Sequence, residues 1–240
     1  MPTIIIYGFW AVTWLSCMSL VAYVLKKRLN RDYPIFFAFL VADCAADVIN
    51  FFFRLLLSYR AYYYSYWIGA AITTVLGFCV LQEVFRLVFR PYEGLRSFGS
   101  NLFRWSTLVL LMIGAVMALS SPSDTLNPIT NFIFTIDRSV RLMQCGLVVF
   151  LYLFGRQLGL TDGHRVFGIA IGFGITASAH LSVVTLRSVL TGPTNAFILN
   201  LLHQIAFLAA VTIWTVYMYR PEPERRRASV LDQPESWNYA

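Results

Sequence analysis

Apolar runs alternate with short polar breaks along the whole chain. The pattern predicts seven helices, at about 4–25, 35–57, 62–89, 106–119, 129–154, 167–190 and 196–219. About 20 apolar residues at a rise of 1.5 Å each are enough to cross a bilayer core of about 30 Å. The breaks carry turn chemistry. Pro34 follows Tyr33 at a helix start, SSPSDTLNP leads into the fifth run with Asn127 as N-cap and Pro128 in the first turn, and Thr191-Gly192-Pro193-Thr194 reverses the chain.

Within these runs the polar residues recur at helical spacing. Asp43, Asp47, Asn50 and Arg54 stand four, three and four residues apart, on one face of the second helix. In the fifth, Asp137, Arg141, Gln144 and Cys145 share a stripe, with Arg138 beside it. Gly168, Gly172, Thr176, His180 and Arg187 follow one face of the sixth, and its small end predicts close approach of a neighbour. The seventh adds Asn200, His203 and Gln204. Charges in a spanning helix cost roughly 2.5–3.5 kcal/mol each on insertion scales. Such residues therefore seek one another, and a shared cluster is expected.

Composition agrees with a lipid-solvated chain: 58% hydrophobic and only 13% charged, with mean hydropathy +0.64. The fold class expected is all-α, a bundle of seven transmembrane helices over residues 1–220, followed by a flexible cytoplasmic tail at 221–240. The first run has no basic n-region and no cleavage site after it, so it reads as a retained helix. Cys17, Cys44, Cys79 and Cys145 lie inside apolar runs without a C-x-x-C pair and read as packed free thiols. Tyr62-Tyr63-Tyr64-Ser65-Tyr66-Trp67 reads as an interfacial aromatic belt in preference to a cation cage.

The net charge of +7 is explained by topology. With the N-terminus outside, 14 of the 19 basic residues fall on inner loops, flanks and tail, and only Arg60 falls on an outer loop. That arrangement sets the C-terminus in the cytoplasm and needs no nucleic-acid partner. It also places the polar stretches of the second, fifth, sixth and seventh helices at similar depth, between the bilayer centre and the outer surface. Counted together, Asp43, Asp47 and Asp137 oppose Arg54, Arg138, Arg141 and Arg187, a surplus of one positive charge.

Two uses of such a cluster compete. One is a neutral network that fixes helix register, with Arg54 and Arg187 snorkelling outward. The other is a pocket whose spare guanidinium donors take a carboxylate, phosphate or other anion. Ionisable groups inside a membrane favour the pocket. Arg138 is the residue to place: Asp43 or Asp47 is its expected partner, and in an open cavity it would meet the ligand. Glu83, Arg86 and Arg90 read as a local set at the inner end.

Catalytic chemistry finds little support. The only lysines are Lys26 and Lys27, in a loop, which removes a retinal Schiff base. Haem between His180 and His203 rests on matching depth alone. His164 lies in a loop on the far side and there is no H-E-x-x-H, so no metal site is expected. Asp43 and Asp47 beside arginines would stay ionised, which does not suit a general acid.

The segments YPIFFAF, LFRWSTLVLL and DRSVRLMQCGLVVFL, with the loop RPYEGLR, resemble a group of uncharacterised multi-pass proteins predicted in acidobacterial genomes. The resemblance covers the helices and not the tail. It implies a fold and a bacterial inner-membrane setting, and nothing about chemistry. The expectation is a non-enzymatic, receptor- or sensor-like membrane protein with an outer-half cavity for a small anionic ligand. Its output would pass to a membrane or cytoplasmic protein partner. A small-solute or proton-coupled transporter is the alternative, and a structural or assembly subunit the third reading.

Overall fold

The apolar runs form long helices: α1 Pro2–Lys26, α2 Pro34–Leu56, α3 Tyr59–Val88, α4 Pro128–Phe154, α5 Arg165–Val189 and α6 Pro193–Tyr219. Their ends lie within three residues of the expected runs. The computed structural model describes residues 2–56, 59–88, 128–154, 165–190 and 192–221, together with 105, 109 and 112. The helix expected at 106–119 lies outside the described residues except for Val109 and Met112, which are helical and exposed. The tail beyond residue 221 lies outside them as well.

Five of these helices are long and apolar enough to cross a membrane. The exception is α4, equally long but carrying Asp137, Arg138 and Arg141. Large apolar side chains such as Leu15, Leu55, Ile68, Val75, Val149 and Ile198 are exposed around the outside. A soluble protein would cover them; lipid does so here. The chain is a multi-pass membrane protein, all-helical among the described residues.

The described helices close a ring in the order α1–α2–α3–α4–α5–α6, with α6 returning to α1. Specific pairs set the register. Cys17 and Cys44 bring their free thiols within 2.8 Å between α1 and α2, and the Trp14 indole donates to the Cys44 carbonyl at 3.3 Å. Ser65 donates to Asn50 Oδ1 at 2.8 Å, tying α3 antiparallel to α2. Thr74 meets Asp137 and Phe85 stacks on Phe150, which fixes α3 parallel to α4. We call the end where α2 leads into α3 and α5 into α6 the upper end.

The lower half is the packed half. β-Carbons at Gly168 and Gly172 would overlap the rings of Tyr217 and Trp214, and one at Gly174 would overlap Val148. These glycines let α5 press against α6 and α4, as the small face of α5 predicts. Trp214 then fills the centre, donating its indole N–H to the Ile169 carbonyl at 3.1 Å. Phe36, Phe39, Phe173 and Phe207 contact it in edge or tilted geometry. At the upper turn Gly192 adopts φ 119°, open to glycine and strained for other residues.

Glu83 departs from the expected local set. It is 2% exposed, and its carboxylate accepts the backbone N–H groups of Ile35 at 3.0 Å and Phe36 at 2.9 Å. A side chain of α3 thus caps the N-terminus of α2, where unsatisfied N–H groups favour an anion. Arg86 still acts on it electrostatically, and Arg90 lies outside the described residues.

Gly172→Ala is expected to destabilise the fold by about 1–3 kcal/mol, because the Trp214 indole has nowhere to move in a filled core. Thermal unfolding in detergent measures it; an unchanged midpoint would show that α5 and α6 are not in close contact.

Candidate functional site

The polar stripes of five helices converge in the upper half of the ring. The centre of the cluster is Asp137 on α4. Its Oδ1 accepts from the Thr74 hydroxyl of α3 at 2.9 Å, and its Oδ2 accepts from Arg141 Nε one turn along at 3.1 Å. His180 Nε2 on α5 lies 3.1 Å from the same Oδ2. One carboxylate therefore ties three helices, and its own side chain is 15% exposed.

Above and around this hub is a cavity of about 440 Å³. Asp43, Asp47 and Asn50 form its α2 wall, Tyr66 and Trp67 come from α3, and Arg141, His180, Arg187 and His203 stand on α4, α5 and α6. The volume lies within the range of small-molecule sites, roughly 300–1,000 Å³. A smaller chamber of about 90 Å³ continues downward, sharing Asp43, Thr73, Asp137, Arg141 and His203 with the cavity above. Its floor is Phe39, Phe173 and Phe207, the top of the aromatic cluster. Gln144 lines it; the residue is 3% exposed, and its Oε1 has no hydrogen-bond partner among the described residues.

Each polar residue singled out in the sequence now has a place. The Trp10 indole donates to Asp47. No donor among the described residues reaches Asp43, on which Arg141 acts through space. Arg187 donates through Nη2 to Asn200 Oδ1 on α6. The rings of His180 and His203 meet edge to face with centroids 5.6 Å apart. A haem between them would have to push apart rings already in contact and take His180 from Asp137. Gln204 lies outside the cavity lining, with Oε1 buried and unpartnered among the described residues. No group of three or more metal-ligating side chains converges among the described residues.

Comparison with protein-family models, curated proteins and solved structures finds no match for this chain.

Two arginines depart from the expected cluster. Arg138 is exposed, lines neither cavity, and pairs with neither Asp43 nor Asp47. Successive helix residues are about 100° apart, so the turn that aims Asp137 inward carries Arg138 off the inner face. Arg54 is exposed in the last turn of α2 and also stands outside the lining. Removing both reverses the charge balance. Three carboxylates, Asp43, Asp47 and Asp137, now face two guanidinium groups, Arg141 and Arg187. Sequence reasoning missed Thr73, Thr74, Tyr66 and Trp67 as lining residues; their only signal was a position on α3 at the depth of the polar stripes.

Asp137→Ala leaves Arg141 and His180 without their acceptor. Breaking a fully buried pair costs about 3–5 kcal/mol. The cavity admits water, so a loss on the order of 2 kcal/mol is expected, with Asp137→Asn intermediate. Equal thermal stability of wild type and Asp137→Ala would remove Asp137 as the tie between α3, α4 and α5.

Proposed function

We propose that this protein is a non-enzymatic, receptor- or sensor-like protein of the bacterial inner membrane that holds a small polar ligand in the upper cavity. The observation that carries the reading is the cavity itself. A register network needs no empty volume, yet about 440 Å³ lies among polar side chains drawn from five helices. The walls are polar and aromatic, the hub at Asp137 is pre-organised, and the space beneath is sealed by the Trp214 cluster. Such a site is reached from one side and holds its ligand against a fixed floor.

The setting belongs to the same reading. Seven crossings, with the N-terminus and the upper end outside, are favoured by the basic residues on the lower side. They are also favoured by the parallel run of α3 and α4, since α3 ends at the lower end and α4 begins at the upper. The bacterial inner membrane is what the resemblance of the helical segments implies. An anionic ligand loses its main argument, because two of the four arginines behind it stand outside the lining and Arg141 is engaged by Asp137.

A second reading, a small-solute transporter, is favoured by the two chambers stacked along the bundle axis. In that case the aromatic floor would have to open, and counterflow in proteoliposomes would detect it.

Two outcomes are expected. Alkaline phosphatase fused after Arg60 should be active and a fluorescent protein fused to the C-terminus should glow; the opposite pattern would invert the topology. In a thermal-unfolding screen of small amines, amino acids and carboxylates, at least one compound should stabilise the wild type saturably. Ala70→Phe, which fills the cavity from α3, should abolish the effect in a protein that still inserts. A screen without a hit, or one unaffected by Ala70→Phe, would sink the ligand-binding reading.

A further inference from the structure

The lower chamber is a wall of acceptors. Three threonine hydroxyls line it, and each sends its proton elsewhere. Thr73 donates to the Gly69 and Ala70 carbonyls at 3.0 and 3.1 Å, Thr74 to Asp137 at 2.9 Å, and Thr176 to the Phe173 carbonyl at 3.0 Å. What remains for the chamber is lone pairs. Gln144 adds an unpartnered Oε1 on a side chain that is 3% exposed, and Asp43 adds a carboxylate with no hydrogen-bond donor among the described residues. A buried acceptor left unmade is costly, about 1–3 kcal/mol and more for a charged group.

Donors stand on the same wall, but none is bonded to these acceptors. Arg141 directs Nε to Asp137 and acts on Asp43 only through space. No donor reaches Gln144 Oε1 among the described residues, and His203 is packed edge-on to His180. The rest of the lining is apolar or aromatic: Phe39, Phe173 and Phe207 present rings, which attract cations through their faces. About 90 Å³ is roughly three water volumes at about 30 Å³ each, room for a group of a few heavy atoms.

We propose that the lower chamber receives the ammonium group of a primary amine. Asp43 is its counter-ion, Gln144 Oε1 and the threonine oxygens accept its N–H groups, and the three phenylalanines pack on its first carbon. The inference rests on the ligand-binding reading above and names the chemistry of that ligand's inner end. The remainder of a longer amine would extend up into the larger cavity, between Asp47 and Arg187.

The test uses the full chain in detergent, unfolded thermally in increasing methylammonium chloride. Sodium, potassium and tetramethylammonium chlorides at equal ionic strength are the controls. Methylammonium should stabilise saturably and the controls should not. Asp43→Asn should lose the effect, and Gln144→Leu should need about tenfold more probe. Gln144→Glu, which adds an acceptor charge, should need less. If Asp43→Asn does not fold, the opposite shifts of the two Gln144 variants decide. Butylammonium acting at lower concentration than ammonium chloride would identify an organic amine; the reverse order would identify free ammonium at the same acceptors. Equal stabilisation by sodium or potassium, or an undiminished effect in both Asp43→Asn and Gln144→Leu, overturns the proposal. Stabilisation by glycine or acetate without methylammonium would remove the ammonium subsite and leave the ligand-binding cavity standing. No stabilisation by any probe would remove both.

Discussion

The Asp137 carboxylate is the constraint on which the upper half depends. A charged group inside a helix bundle must be neutralised or hydrated, and Asp137 is neutralised by its own helix through Arg141 and bound to two others through Thr74 and His180. That arrangement dictates which face of α4 looks inward. It also explains why the helix least suited to lipid by its charge is tied on both sides, to α3 and to α5. Once Asp137 and Arg141 satisfy each other, neither is available as a loose charge, and the electrostatics of the cavity pass to α2.

The consequence is an inversion of sign. Counted along the chain, the polar helices carry more arginine than aspartate; counted around the cavity, they carry more aspartate. The difference lies in Arg54, exposed at the end of α2, and in Arg138, exposed on α4. Carboxylates have short stems and stay where the backbone places them. Arginine has a long one that can carry its charge away from an interior. The carboxylates are therefore the better guide to the charge of an intramembrane site.

Much of the architecture was legible in the sequence, and the reason is period. Asp43, Asp47 and Asn50 recur at three and four residues, and all three face the same cavity. Gly168 and Gly172 do so too, and both meet large rings of α6. What was not legible depends on the partner. Glu83 reads as a member of a local charged set, but it caps the first turn of α2, a contact set by how far α3 slides along its neighbour. Thr73 and Thr74 look like ordinary helix threonines until their protons are traced to carbonyls and to Asp137.

The division between site and scaffold then falls where the packing mode changes along α5 and α6. In the lower half these helices meet through glycine against tryptophan and tyrosine, a fit that leaves no space. In the upper half they meet through His180 with His203 and Arg187 with Asn200, polar pairs that hold the helices at side-chain length. Polar pairs keep a gap open because their groups must stay solvated or bonded, and glycine contacts close it because a ring can lie against bare backbone. The cavity sits at this change and ends on Phe173, the last ring of the tight half. Phe39 of α2 packs on Phe173 and Asp43 stands one turn above it, which is why an unpaired carboxylate and an aromatic floor come to share one small chamber.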